Sequence, residues 1–335
     1  MRSLEFPGLG LEFAMERVAF TILGRPVYWY GLIIAMGFLL AVLVCCKLSH
    51  RFGIRQEDIT DMLLAAVPLA LVGARGYYIL FYLDLYRRSD GGLDIPAMLR
   101  VWDGGLAIYG GVIAAVLVLF VFCRLRKISF LAFADLGVFG LFIGQSVGRW
   151  GNFVNMEAYG GVTELPWRMC SAEIAGELLD KGLVDTAAYQ SVLDGSLGVH
   201  PTFFYESLWN LVGLGLLFLL LKLGRKFDGQ LFLTYLFWYG LGRAWIEGLR
   251  TDSLYLFETG LRVSQLLAVL SCVTAVVCFV LLKRKKGYAP LYVETLAAPG
   301  KEQGTISQGE EEEREDGCSD GRQSTGGETT EGDSL

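Results

Sequence analysis

Residues 133–161 read FADLGVFGLFIGQSVGRWGNFVNMEAYGG. An apolar run ends abruptly in an arginine, two asparagines and a glutamate, with glycines between them. The run is not isolated. Several stretches of about 20 residues carry almost no charge, the length that spans a hydrocarbon core of about 30 Å as a helix. Hydrophobic residues make up 53% of the 335 and aromatics 13%, and mean hydropathy is +0.45. A chain of this length would otherwise suggest two soluble domains, but this composition reads as an all-α, multi-pass membrane protein.

Seven spans can be drawn, near 28–46, 59–83, 105–123, 130–147, 203–223, 229–247 and 262–282. The connections KLSHRFGIR (47–55), RLRK (124–127), KLGRKF (222–227) and KRKK (283–286) are short and basic. The alternate connections hold Arg87, Arg88, Arg100, Arg168 and Arg250, but are longer and mixed with acids. Positive charge in short loops marks the cytoplasmic side. This places the N-terminus outside, the C-terminus in the cytoplasm, and the polar stretch after residue 147 outside. The outer connections 84–104 and 148–202 are too long for turns. SAEIAGELLDKG (171–182) reads as a short amphipathic helix within a small extracytoplasmic cap, about 160–200. The expected organisation is an N-terminal extracytoplasmic segment 1–27, a seven-span membrane domain 28–286 and a disordered acidic cytoplasmic tail 287–335. From Lys301 onward there are 11 acidic and 3 basic residues among Gly, Ser and Thr, a composition that cannot pack a core. Glu5, Glu12 and Glu16 ahead of the first apolar run speak against a cleavable signal. The seven cysteines have no metal-ligand spacing and no CxxC, so no metal site is expected.

Charged residues inside spans are functional candidates by default, because an arginine at mid-bilayer costs about 2.5–3.5 kcal/mol on insertion scales. Here their depth is informative. Arg75, Arg149, Arg243 and Glu247 fall late in outward-running spans. Tyr28, Tyr30, Asp103, Tyr109, His200, Tyr205 and Glu206 fall early in inward-running ones. The costly side chains thus gather in the outer half, while the inner half holds little beyond Asp58, Asp61 and Asp135. Arg243 and Glu247, four apart, share a helix face and can pair; a structural ion pair competes with an anion site. Arginine suits phosphate because its planar fork donates two parallel hydrogen bonds. Gly140, Gly144 and Gly148 read as a face for close helix packing. Gly151, Gly160 and Gly161 read as following the span, freeing the backbone to turn and to present N–H groups.

GRWGNFVNMEAYGG closely resembles the signature Gly-Arg-x-Gly-Asn-Phe-x-Asn-x-Glu of the bacterial prolipoprotein diacylglyceryl transferases. YWYGL (28–32), GARGYYILFY (73–82), WDGGLAIYGG (102–111), HPTFFYE (200–206) and GRAWIEGLRTD (242–252) extend the likeness, in family order, over about residues 12–286. The resemblance implies a transferase of the bacterial plasma (inner) membrane that moves the diacylglyceryl group of phosphatidylglycerol to the lipobox cysteine of prolipoproteins. A thioether forms and glycerol 1-phosphate leaves. It implies seven spans, a site toward the outer leaflet, and no cofactor. The partners it implies are the lipid and prolipoprotein signal peptides, with no nucleic acid. By the same likeness Arg149 and Arg243 match the head-group and catalytic arginines. Asn152, Asn155 and Glu157 match the signature's polar residues, with Gly160 beside them. Tyr30, Arg75 and Glu247 match the first-, second- and sixth-span positions. Many members have histidine where this chain has Tyr109. His200 opens the fifth-span motif and is carried as a substrate-site residue, with a structural role as the alternative.

Two chemical needs follow from that activity. The thiol, ordinarily titrating near about 8.5, must become a thiolate. The departing phosphate must be stabilised as negative charge grows on it, a task for preorganised cations in a dry cavity. Arg149 and Arg243 fit the second need, and Tyr30, Tyr109 or Glu247 could relay the thiol proton. A transporter reading has only generic support, because the costly residues stop halfway and the two halves share no motif. A scaffold signalling through the acidic tail has nothing specific in its favour.

Overall fold

The computed structural model describes residues 2–88, 91–251, 262–284 and 288–297. The acidic run from 301, Cys318, Asp252 and the last two lysines of KRKK, Lys285 and Lys286, lie outside the described residues. The N-terminal segment departs from the all-α expectation. It folds as two β-hairpins, β1 (Arg2–Phe6) with β2 (Leu11–Met15), and β3 (Val18–Ile22) with β4 (Arg25–Tyr28). The second turns through Leu23 and Gly24, both at positive φ, the backbone that a tight two-residue hairpin requires.

The helices follow. α1 (Trp29–Leu48), α2 (Gln56–Phe81), the one-turn α3 (Ile95–Leu99), α4 (Ile108–Arg126) and α5 (Phe130–Asn155) lead to the cap. There, β5 (Val162–Thr163), α6 (Ala172–Asp180), α7 (Thr186–Leu193) and β6 (Gly198–Val199) intervene, β5 pairing with β6. Then come α8 (Thr202–Leu223), α9 (Gln230–Leu249), α10 (Val263–Arg284) and α11 (Tyr292–Ala297). Six helices among the described residues are long and apolar enough to cross a membrane: α1, α2, α4, α5, α8 and α10. The remaining long helix, α9, is diluted by Tyr235, Tyr239, Arg243 and Glu247.

The amphipathic stretch in the cap forms α6, capped by the Ser171 side chain on the Glu173 N–H at 3.3 Å. Ile174 and Leu178 on one α6 face join a buried cluster with Leu4, Met169 and Val199, so β1 belongs to the cap. Glu5 and Cys170 exchange backbone hydrogen bonds of 2.8 Å in both directions. Burial pushes the Cys170 thiol up to about 11, which keeps it protonated and unreactive at neutral pH.

α5 is the axis of the bundle. Leu136, Val138, Phe139 and Phe142 are buried, whereas Leu39, Leu40 and Leu43 of α1 are exposed on a helix that is apolar all round. Gly140 and Gly148 of α5 approach Cys45 and Ile34 of α1, but a Cβ on Gly144 would meet nothing within 4 Å, so the expected glycine face holds at two of its three positions. α8 and α9 meet through a reciprocal pair. Trp209 Nε1 donates to the Trp238 carbonyl and Trp238 Nε1 to the Trp209 carbonyl, both at 2.9 Å, and the rings stack at 4.6 Å. Gly213 and Gly242 leave room for these rings. At the end opposite the cap, Asp135 accepts from the N–H groups of Gly229 and Phe232 at the start of α9, at 2.9 and 2.8 Å. It also accepts from Arg225 at 3.3 Å. This end therefore holds more than isolated charges near span starts: Asp58, Asp135 and Arg225 are all buried.

The tail boundary drawn at 287 moves outward. Residues 288–297 return to that same end, where Tyr288 stacks on Phe227 at 5.2 Å and the Tyr292 N–H donates to Asp228 at 2.9 Å. Aromatic and aliphatic side chains give this piece something to bury, which the acidic residues beyond it lack.

α2 and α4 cross backbone to backbone at Gly73 and Gly110. A Cβ on Gly110 would lie 2.4 Å from the Gly73 carbonyl oxygen and 2.3 Å from Tyr77 Cβ. Gly110→Val is therefore expected to destabilise the fold by about 1–3 kcal/mol through overpacking. Gly144→Ala, whose Cβ meets nothing within 4 Å, is expected to be neutral or slightly stabilising. Thermal unfolding of the two variants in detergent checks the contrast.

Candidate active site

The signature stretch is not a hinge after the span. α5 runs on through Asn155, so Gly151 lies inside the helix, where its missing side chain admits the Tyr30 ring: a Cβ would sit 2.8 Å from Tyr30 Cδ2. The chain turns instead at Met156 and Ala158, both left-handed at φ 55° and 56°. Continuation of the helix sets Arg149, Asn152 and Asn155 on adjacent turns of one rigid element.

Arg149 leaves α5 toward α8. Its Nη2 lies 2.5 Å from Glu206 Oε2. From α9, Arg243 Nη1 lies 3.2 Å from Glu206 Oε1, and its Nη2 lies 2.8 Å from Glu247 Oε2. Arg250, just past α9, adds a third guanidinium at 3.3 Å from Glu206 Oε1. Three cations from two helices and a loop thus converge on one carboxylate of a third helix. Glu206 and Glu247 are buried, while the Arg149 and Arg243 side chains remain 21% and 20% exposed, so the arginines form the rim. The Trp209–Trp238 pair fixes the α8–α9 spacing one turn away.

The network continues outward. Arg149 Nη1 donates to Asn152 Oδ1 at 3.3 Å, and Asn152 Nδ2 to Glu157 Oε1 at 2.9 Å. Asn155 Nδ2 reaches the same oxygen at 3.4 Å. The signature is tied to the other motifs by backbone. Gly160 N–H donates to the His200 carbonyl at 2.9 Å, and Gly161 N–H to the Leu249 carbonyl at 2.7 Å. Gly160 has no room for a side chain, since a Cβ would come within 2.8 Å of both His200 Cβ and the Leu249 oxygen. His200 Nδ1 shares a hydrogen with the Tyr205 hydroxyl at 3.3 Å, and burial lowers its pKa, keeping it neutral at pH 7.

Of the residues expected from the sequence, Arg149, Arg243, Glu247, Asn152, Asn155 and Glu157 are joined by these contacts, with Gly160 and His200 bracing them. Tyr30 packs on the same helix at Gly151 and Tyr109 opens α4, each 38% exposed. Arg75 is employed elsewhere. Its guanidinium donates to the carbonyls of Met98, Ala97, Gly104 and Gly105 at 2.8, 2.8, 2.5 and 2.9 Å, and lies over the Tyr86 ring. Sequence reasoning noted Glu206 as a costly residue and Arg250 as a loop cation, and gave neither a place in the site. The signal was present in the apolar setting of HPTFFYES, but spacing within one helix does not show which neighbour an acid faces.

The helices and this cluster define a multi-pass membrane protein with buried carboxylates ringed by arginines at the cap end of its bundle. Residues 17–281 match the family prolipoprotein diacylglyceryl transferase. The phosphatidylglycerol–prolipoprotein diacylglyceryl transferase of Finegoldia magna is 40% identical over 271 residues, 81% of this chain and 97% of that protein. The enzyme of the same name from Geobacillus kaustophilus is 41% identical over 276 residues, 82% and 95% of the two chains. That of Clostridioides difficile is 36% identical over 271 residues, 81% and 97%. The chain belongs to the prolipoprotein diacylglyceryl transferase family.

Because four backbone carbonyls hold Arg75, its replacement is expected to loosen the segment they come from. A lysine cannot reach four fixed acceptors with one ammonium. Arg75→Lys should speed amide hydrogen exchange across residues 95–105 by at least tenfold while leaving α5 and α9 protected. Hydrogen exchange by mass spectrometry reads this.

Proposed function

We infer that the protein transfers the diacylglyceryl group of phosphatidylglycerol to the cysteine thiol of prolipoproteins, forming a thioether and releasing glycerol 1-phosphate. The observation that carries the reading onto this chain's own residues is the convergence of Arg149, Arg243 and Arg250 on a single carboxylate. The Arg149 and Arg243 side chains are about one-fifth exposed at the rim, where their N–H donors can meet an incoming anion. A phosphodiester carries a single negative charge and presents paired oxygens to the guanidinium fork.

In this reading the bundle has seven spans, α9 being the seventh, with the basic loops in the cytoplasm and the cap outside. The arginines then lie beneath the outer leaflet, at the depth of a lipid head group. The lipid enters from the membrane and its phosphate lodges between Arg149 and Arg243. Asn152, Asn155 and Glu157 line the outward path and orient the glycerol of the head group. The lipobox cysteine of a signal peptide meets the glyceryl carbon that bears the phosphate. As the carbon–oxygen bond breaks, the second negative charge on glycerol 1-phosphate develops against preformed cations in a site poor in water, where such donors stabilise it most. Glu247 holds Arg243 in place for this from one turn away.

Full-length protein incubated with phosphatidylglycerol and a lipobox peptide should add the mass of a diacylglyceryl group, seen by mass spectrometry. A peptide with serine for cysteine should stay unmodified. Arg243→Ala is expected to lower the rate by at least about 100-fold, the usual effect of removing a donor that stabilises a developing oxyanion. Arg243→Lys should recover little of it, since an ammonium cannot make the forked contact. Folded Arg243→Ala protein with normal turnover would refute the assignment.

A further inference from the structure

We infer that Glu206 is the proton acceptor of the reaction, held in reserve by the arginines until the lipid phosphate draws them away. The inference rests on reading the arginine cluster as the phosphatidylglycerol site. Glu206 lies 4% exposed in the first turns of α8. Among the described residues its hydrogen-bond and ion-pair partners are guanidiniums alone: Arg149 at 2.5 Å, Arg243 at 3.2 Å and Arg250 at 3.3 Å. Its two oxygens therefore sit where a bound anion must sit, and phosphate and carboxylate compete for the same donors.

The surrounding charged and titratable groups define its role. They are Arg149 on α5, Tyr239, Arg243 and Glu247 on α9, Arg250 beyond it, and Tyr205 and His200 beside it. Guanidiniums cannot accept a proton, and a phenol at neutral pH already holds its own. The His200 ring pairs with the Tyr205 hydroxyl rather than with the arginines, so a phosphate that draws the arginines away does not release it. Glu247 is tied to Arg243 by their spacing on one helix and accompanies it wherever it turns. Glu206 comes from a different helix, so a shift of Arg149 and Arg243 toward a phosphate leaves it behind. With those two guanidiniums turned to the phosphate, the Glu206 oxygens lose two of their three hydrogen-bond donors and have lone pairs open to a new hydrogen. Substrate binding thus converts a counter-ion into a base in the step that requires one.

The step balances without a further reactant. The cysteine S–H proton passes to a Glu206 oxygen, and the sulfur lone pair forms the bond to the glyceryl carbon. The carbon–oxygen bond to phosphate breaks, and its electron pair leaves with glycerol 1-phosphate on Arg149 and Arg243. The proton returns to water when the product departs.

The test compares two lipobox peptides, one with cysteine and one with selenocysteine, on full-length protein in phosphatidylglycerol nanodiscs. A selenol is already ionised at neutral pH and needs no base. Glu206→Gln is expected to slow the cysteine peptide about 100-fold or more at pH 7, within the usual range for losing a general base. The selenocysteine rate should fall far less. Raising the pH should restore the cysteine rate about tenfold per unit until the thiol itself ionises near about 8.5. The ratio of the two rates does not depend on how much protein folds. Should Glu206→Gln give no protein, Glu206→Asp keeps the charge the arginines need and withdraws the carboxylate by one methylene; its ratio should rise at least tenfold over the parent's. Equal losses with both peptides, or an unchanged ratio, overturn the proposal. A parent protein that modifies neither peptide overturns the lipid-site reading instead.

Discussion

The Glu206 carboxylate is the constraint on which this molecule's working end depends. Arg149 and Arg243 stand on different helices, α5 and α9, and reach the two oxygens of one carboxylate within an apolar bundle. Two guanidiniums so placed repel, and neither is fully hydrated. A carboxylate from α8 between them converts the repulsion into two attractions and ties three helices at one point. Buried ion pairs seldom stabilise a fold outright, because desolvation offsets most of their Coulomb energy. What they supply is position. Removing the acid would leave uncompensated cations, which is far more costly than the pair was favourable.

The rest of the bundle can be read as the means of holding that point still. Asp135 on α5 caps the first N–H groups of α9 at the end away from the cap. Gln145 on α5 donates to the Tyr235 hydroxyl on α9 at 2.8 Å partway along. The reciprocal tryptophans lock α8 to α9 just before the cluster. Backbone bonds from Gly160 and Gly161 then fasten the cap to the starts and ends of the same two helices. The three side-chain ties each join two helices that carry a member of the arginine cluster. α2 and α4 are fastened to one another by glycine contact instead, and contribute Arg75 to their own connecting segment.

How much of this was legible in the sequence follows from the range of the interactions. Span existence depends on local composition, so all seven apolar stretches became long helices. The Arg243–Glu247 pair depends only on helical period and was equally visible. Failures begin where a side chain answers to something distant. The continuation of α5 through GRWGNFVN was missed because glycine there suggests a break, while Tyr30 from another helix fills the space at Gly151. The hairpins before residue 28 were missed because their strands are short and one packs on residues from the cap, far along the chain. Glu206 was noticed as expensive but left without a partner, since its partners lie 37 or more residues away and on the other side of it in the case of Arg149.

The arginines themselves show why depth alone does not separate function from scaffold. Arg75 and Arg225 are more buried than Arg149 or Arg243. Arg75 answers to four carbonyl oxygens, and Arg225 to two carboxylates, the Arg51 carbonyl and the face of Phe52. Carbonyl oxygens belong to the backbone and cannot leave without unfolding it, and Asp135 is held by two N–H groups besides. Those arginines are therefore fixed. Arg149, Arg243 and Arg250 share a carboxylate on a flexible side chain with no backbone donor of its own among the described residues. An incoming anion can replace that partner without disturbing a helix. Whether a buried cation can exchange its partner, rather than how deeply it is buried, is what favours the Glu206 cluster over Arg75 or Arg225 as the proposed substrate site.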